Sequence, residues 1–280
     1  VEEAVTHGRP RGSHDPAVYI PTMNRYGNLE RIVPLWMEQD FRVRLVVEPS
    51  EYGEHARLIT RMGWTGLGVT VIPVQSPRRG IGYARRAAVL HADRTGRKSI
   101  IMSDDDMKPA GDMLPLLKAA EDSGALGVGA VRGIHDYFTG GAISRTSGVI
   151  LCPGGWGFQL FGLNIANTVL LGNFDERLHS YGEDGELARQ GIKAGIFWRS
   201  HCDVKCAPIG KRYAAGGIST RFARPEYRTD AERECLKIIH DRWPYYTNEP
   251  DKPLRVAWQR MLDHYIPDWR DRSALHGGSL

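Results

Sequence analysis

From Ala17 onward, short apolar runs alternate with amphipathic stretches. Ala17 to Ile20, Arg44 to Glu48, Val69 to Val74 and Ser99 to Ser103 are too short to be helices and are each expected as a buried strand. Between them, Leu29 to Gln39, Tyr52 to Met62 and Gly82 to Ala92 read as helices. Strands alternating with helices at this spacing predict an α/β fold, a Rossmann-type mostly parallel sheet with helices on both faces. After a helix at Met113 to Ser123 the pattern turns Gly-rich, with short strands at Gly127 to Arg132 and Gly148 to Leu151. A helix beginning near Glu183 and a strand from Gly195 to Arg199 follow. Thr229-Asp-Ala-Glu232 is a capping box that starts a helix through Arg242, and Pro253 to Tyr265 has a further amphipathic period.

This division predicts a loose arm over 1–16, a folded domain over 17–224 that divides into 17–110 and 111–224, and a helical C-terminal extension over 225–280. With 280 residues, 41% of them hydrophobic and 25% charged, the chain can bury a sizeable core. No run reaches the roughly 18 to 20 apolar residues a membrane span needs, and Val1 to Pro16 lack the apolar core of a secretory signal. The expectation is a cytoplasmic protein without a membrane partner. Cys152, Cys202, Cys206 and Cys235 lack paired short spacings, so reduced thiols are expected rather than structural zinc. Lys205 to Leu280 holds 14 Lys and Arg against 10 Asp and Glu, which accounts for the net charge of +4; so mild an excess does not establish a nucleic-acid partner.

The polar residues of the first half fall at the carboxyl ends of the strands, where open α/β sheets gather ligands. Asp104, Asp105 and Asp106 directly follow a buried strand. Adjacent carboxylates repel and are costly to desolvate unless a cation neutralises them. They form either an acidic turn that caps the next helix or a site for Mg2+ or Mn2+ on a diphosphate. Arg79, Arg85 and Arg86 surround a Gly-rich turn and are candidates for diphosphate oxygens. Glu183 and Asp184 suit either a favourable helix dipole or a general base. Gly155 and Trp156 are candidates for an acceptor platform, and Lys205 to Arg224, with Lys211 and Arg212, has the composition of a lid.

Three of these stretches, in order, resemble nucleotide-sugar glycosyltransferases of the GT-A fold. Ser103-Asp104-Asp105-Asp106 is similar to their Asp-x-Asp motif, Gly80-Ile-Gly82-Tyr-Ala-Arg85 to a family-two glycine and Ala-Arg pattern, and Gly182-Glu183-Asp184-Gly185-Glu186-Leu187 to their acceptor-side element. The resemblance spans roughly Ala17 to Asp203. It implies a nucleotide-sugar donor, with UDP expected, and Mn2+ or Mg2+ held by Asp104 and Asp106. His201, or Asp203 in its place, would complete the metal shell. Pro21, Thr22, Asn24, Arg25 and Glu48 would line the base and ribose pocket. Arg79, Gly82, Arg85, Asp104, Asp105, Lys211 and Arg212 would meet the rest of the donor, Asp184 would be the base, and Glu183 would be second to it. A narrower resemblance, carried by Pro21 to Arg25 and Ser103 to Met107, is to phage glycosyltransferases associated with base-modifying dioxygenases. It implies DNA carrying hydroxymethylated pyrimidines as acceptor, in a host cytoplasm. A polysaccharide, lipid-linked or protein acceptor is the alternative. A nucleotidyltransferase is more distant, since no Gly-rich lysine signature follows the first strand, and a non-catalytic sugar- or DNA-binding module is set back by the coexistence of the aspartates with Glu183 and Asp184. Sugar identity, anomeric outcome and oligomeric state are not encoded legibly.

Overall fold

The computed structural model describes residues 15–75, 80–122, 124–131, 148–151, 159–180, 182–209, 229–243 and 263–264. Its strands are β1 (Ala17–Pro21), β2 (Arg42–Val47), β3 (Val69–Pro73), β4 (Ser99–Ser103), β5 (Met107–Ala110), β6 (Ala125–Val131), β7 (Val149–Leu151), β8 (Leu160–Asn164) and β9 (Phe197–Pro208). Its helices are α1 (Tyr26–Met37), α2 (Tyr52–Arg61), α3 (Ile81–Arg94), α4 (Leu114–Ala120), α5 (Ile165–Leu170), α6 (Glu183–Ala194) and α7 (Asp230–Arg242).

The strands join in one sheet in the order β3-β2-β1-β4-β8-β6-β9-β5, with β7 on β9. The β3-β2-β1-β4 part is parallel throughout, as the strand and helix alternation predicts. Beyond β4 the sheet is mixed: β8 runs antiparallel to both β4 and β6, β6 and β9 are parallel, and β5 is antiparallel to β9. Two of these strands escape the apolar pattern for local reasons. β5 is four residues long and contains Pro109. β8 carries Gly162 at its centre, which reads as a break but admits α4: a Cβ there would lie 2.7 Å from Leu116 O. β9 also runs on to Pro208, past the Arg199 end that the sequence suggests, with alternating burial.

Alternation along the strands feeds two cores. Tyr19, Ile100, Met102 and Phe161 face one side with Val89 of α3, Leu187 of α6 and Ile239 of α7. Val18, Ile20 and Ile101 face the other with Leu29 and Trp36 of α1, Leu58 of α2 and Leu116 of α4. Each such buried side chain contributes roughly 1.5 to 3 kcal/mol, so helices on both faces hold the strand ends in fixed register. The capping box forms in full: Thr229 Oγ1 accepts from Glu232 N at 3.2 Å and Glu232 Oε2 accepts from Thr229 N at 2.8 Å. Among the described residues no helix is long and apolar enough to cross a membrane.

Candidate active site

Because β4 lies next to β1 in the sheet, its carboxyl end delivers Asp104 to Asp106 beside the turn that follows β1. Asp105 is the buried member. Its Oδ2 accepts from Thr22 Oγ1 at 2.8 Å and its Oδ1 from Arg25 Nη1 at 2.8 Å. Thr22 and Arg25 thus also serve the triplet itself. Arg25 also stands 3.6 Å from Asp106 Oδ2. Asn24 turns with φ at 55° and donates its backbone N–H to Glu51 Oε2 at 3.1 Å, a tether from a buried carboxylate that no sequence motif announces. Pro21 is buried as the last residue of β1, and Glu48 is half-buried where β2 ends.

Arg85 departs most from expectation. It is 4% exposed, and its two terminal nitrogens are spent on carboxylates: Nη2 donates to Asp104 Oδ1 at 2.9 Å and Nη1 to Glu183 Oε1 at 2.6 Å. It joins the aspartate triplet to the Glu183 helix. Burial raises the Asp104 carboxyl, Arg85 opposes this, and Asp106 adds to it, leaving Asp104 at about 6. Glu183 is raised to about 7 by burial, opposed by Arg85 and reinforced by Asp184.

The glycines of the Gly80 to Arg85 motif explain how the two carboxylates meet. A Cβ on Gly80 would sit 2.0 Å from His179 O, and one on Gly82 would sit 2.6 Å from Leu178 O. The start of α3 is therefore in backbone contact with the chain leading to α6, and Ile81 N donates to His179 O at 2.8 Å. Gly82 thus seats that chain, a packing role in addition to the donor contact the resemblance implies. On α6, Glu183 is turned inward to Arg85 while Asp184 is half-buried, its Oδ1 accepting from Gly185 N at 2.7 Å.

Helix α7 locks the same chain from outside. Glu186, 1% exposed, accepts from Trp243 Nε1 at 2.5 Å and from Arg242 Nη1, and Arg242 Nη2 lies 2.9 Å from Asp175 Oδ2. Glu186 sits inside a recognised motif, yet nothing local in the sequence marks Arg242 and Trp243 as its partners.

Asp106 tests whether a cation suits the site. Its Oδ1 is buried and has no hydrogen-bond partner among the described residues, while arginines serve the other two aspartates. An orphaned, buried carboxylate oxygen fits a divalent cation. His201 pairs with Ala130 on β6 and stands seven residues before Pro208, the β9 residue that pairs with Met107 after the triplet. Its Nδ1 lies 3.9 Å from Asp203 Oδ2, which accepts from Gly148 N at 2.7 Å. Among the described residues no three His, Cys, Asp or Glu side chains gather as a metal-ligand set, so His201 is not brought to the aspartates. Cys202, Cys206 and Cys235 are buried free thiols. Arg79, Gly155, Trp156, Lys211 and Arg212 lie outside the described residues, as does most of the helix expected at 253–265.

No family model matches the chain, and no curated protein matches it. Solved structures do. The chain is similar to the mannosyltransferase PcManGT from Pyrobaculum calidifontis, in complex with GDP-Man and Mn2+, at 19% identity and a TM-score of 0.55, covering 95% of this chain and 76% of that one. It is also similar to GalNAc-T7, solved with UDP, GalNAc and Mn2+, at 14% identity and a TM-score of 0.56, covering 92% of this chain and 58% of that one. At these identities the likeness is one of fold: the chain has a GT-A-like α/β fold.

Proposed function

We propose that this chain is a divalent-metal-dependent glycosyltransferase whose nucleotide-sugar donor binds at the carboxyl ends of β1, β2 and β4. The observation that carries the reading is Asp106 Oδ1, a buried oxygen without a partner among the described residues, within a triplet whose other members are matched by Arg25 and Arg85. The two similar structures, one with GDP-Man and Mn2+ and one with UDP, GalNAc and Mn2+, support it. Mn2+ or Mg2+ held by Asp106 and Asp104 would supply positive charge against the departing diphosphate.

In the transfer, the acceptor oxygen forms a bond to the anomeric carbon as the bond from that carbon to the diphosphate oxygen breaks, and the electron pair leaves with the nucleoside diphosphate. In an inverting transfer Asp184 takes the acceptor proton, because Glu183 is committed to Arg85. Arg85 keeps the Asp104 and Glu183 ends of the site in register.

A hydroxyl on a polysaccharide, lipid-linked or protein acceptor is the reading we carry for the other substrate. Hydroxymethylpyrimidine DNA rests on the short Pro21–Arg25 and Ser103–Met107 resemblance alone. Trp243, an aromatic of the basic C-terminal quarter, is 5% exposed and bound to Glu186, so it offers no stacking surface to DNA. The test is a screen of UDP- and GDP-sugars with Mn2+ or Mg2+, followed by incubation of the best donor with acceptors of each class, hydroxymethylated DNA included. Metal-dependent transfer to one class supports the reading; no cleavage of any donor under any metal condition refutes it.

A further inference from the structure

At the amino ends of the strands, away from the aspartates, Arg42 and Arg44 of β2 and Arg97, just before β4, converge on a cavity of about 470 Å3, which Asp15, Gly66, Gly68, Val69 and Thr70 complete. The volume lies in the range of small-molecule sites, roughly 300 to 1,000 Å3. Three guanidiniums face it, and Asp15 is the one carboxylate among the described residues that line it. Asp15 is occupied by Arg42, through Nε at 3.2 Å and Nη2 at 3.1 Å, and its backbone carbonyl accepts from Arg97 Nη1. Arg44 is braced by Gly68 O at 3.0 Å and Thr70 Oγ1 at 2.9 Å. Arg97 Nε is buried without a partner among the described residues. Gly68 makes room for this arrangement, since a Cβ on it would lie 2.6 Å from Arg42 Nη1. Burial lowers the Arg44 guanidinium; Tyr19 opposes this, and the charges of Arg97 and Arg42 lower it further. Burial, followed by Arg44, Arg94 and Arg97, likewise lowers His91. Such repulsion is relieved by an anion, and planar guanidinium forks match phosphate oxygens.

We propose that the Arg42, Arg44 and Arg97 cavity is an oxyanion site for a phosphate group, either free or as a small phosphomonoester, separate from the donor site. It does not depend on the transferase reading. The cavity is at the amino ends of β2 and β3, whereas the aspartates follow the carboxyl end of β4, so its occupant regulates or anchors the protein without entering the reaction.

The experiment follows the arginine Nε resonances of the whole chain by NMR while inorganic phosphate, or phenyl phosphate, is titrated without divalent metal against chloride at matched ionic strength. Saturable shifts of Arg97 and Arg44 with either probe, weakened about tenfold or more in Thr70→Glu and in Arg97→Gln, are expected. A preference for phenyl phosphate identifies the ester as the better ligand, and parity identifies the free ion. If both variants fail to fold, the wild-type resonances alone decide. No saturable shift at these arginines, or binding that survives both substitutions unchanged, overturns the proposal.

Discussion

Arg85 Nη1 lies 2.6 Å from Glu183 Oε1, and the same guanidinium reaches Asp104 through Nη2. A single side chain thereby ties the end of β4 to the start of α6, elements 79 residues apart in the chain by the numbering of Asp104 and Glu183. Removing a charge from such a buried group leaves its partners uncompensated.

Arg85→Met is therefore expected to destabilise the protein by about 3 to 5 kcal/mol, read by urea denaturation in the absence of metal. A loss below about 1 kcal/mol would show that the bridge is not structural.

Glu183 sets a pH dependence. Its carboxyl is raised from 4.5 to about 7, so the native state holds a proton that the unfolded state has released across that window, and stability falls as pH rises through it. In Glu183→Gln this contribution is absent. The melting temperature of the variant minus that of wild type should rise from about pH 5 to about pH 8; a difference that is flat or falls contradicts the assignment.

Gly82→Ala places a methyl 2.6 Å from Leu178 O and should cost about 1 to 3 kcal/mol while displacing the chain that delivers Glu183 and Asp184. Gly27→Ala, with nothing within 4 Å of the new atom, is the control and should be neutral or slightly stabilising. Equal effects in thermal denaturation would remove the backbone contact from the account.

Trp243→Phe deletes the indole donor to buried Glu186 and is expected to cost about 1 to 3 kcal/mol, with turnover falling more than donor affinity. Unchanged turnover would mean that α7 does not position the start of α6.

The sequence makes the parallel half of the sheet legible because strands buried on both faces appear as uninterrupted apolar runs, as in Ser99 to Ser103. It hides β8 and β5, where Gly162 and Pro109 satisfy packing and edge geometry at the expense of strand character. The three motifs are legible as neighbours in function. Their wiring is not: whether Arg85 reaches a ligand or two carboxylates depends on Gly80 and Gly82 admitting the 175–179 chain, a contact between backbones distant in sequence. The same holds for Glu186, whose partners Arg242 and Trp243 lie more than fifty residues downstream.

The central claim is that Asp106 offers its unpartnered oxygen to a divalent cation bound with a nucleoside diphosphate. Calorimetry of UDP and GDP binding, with and without Mn2+, on wild type and Asp106→Asn measures it directly. Wild type should bind one of the two about tenfold or more tightly with Mn2+ than without, and the folded variant should show no gain from the metal. A variant that keeps the full Mn2+ enhancement would contradict the account.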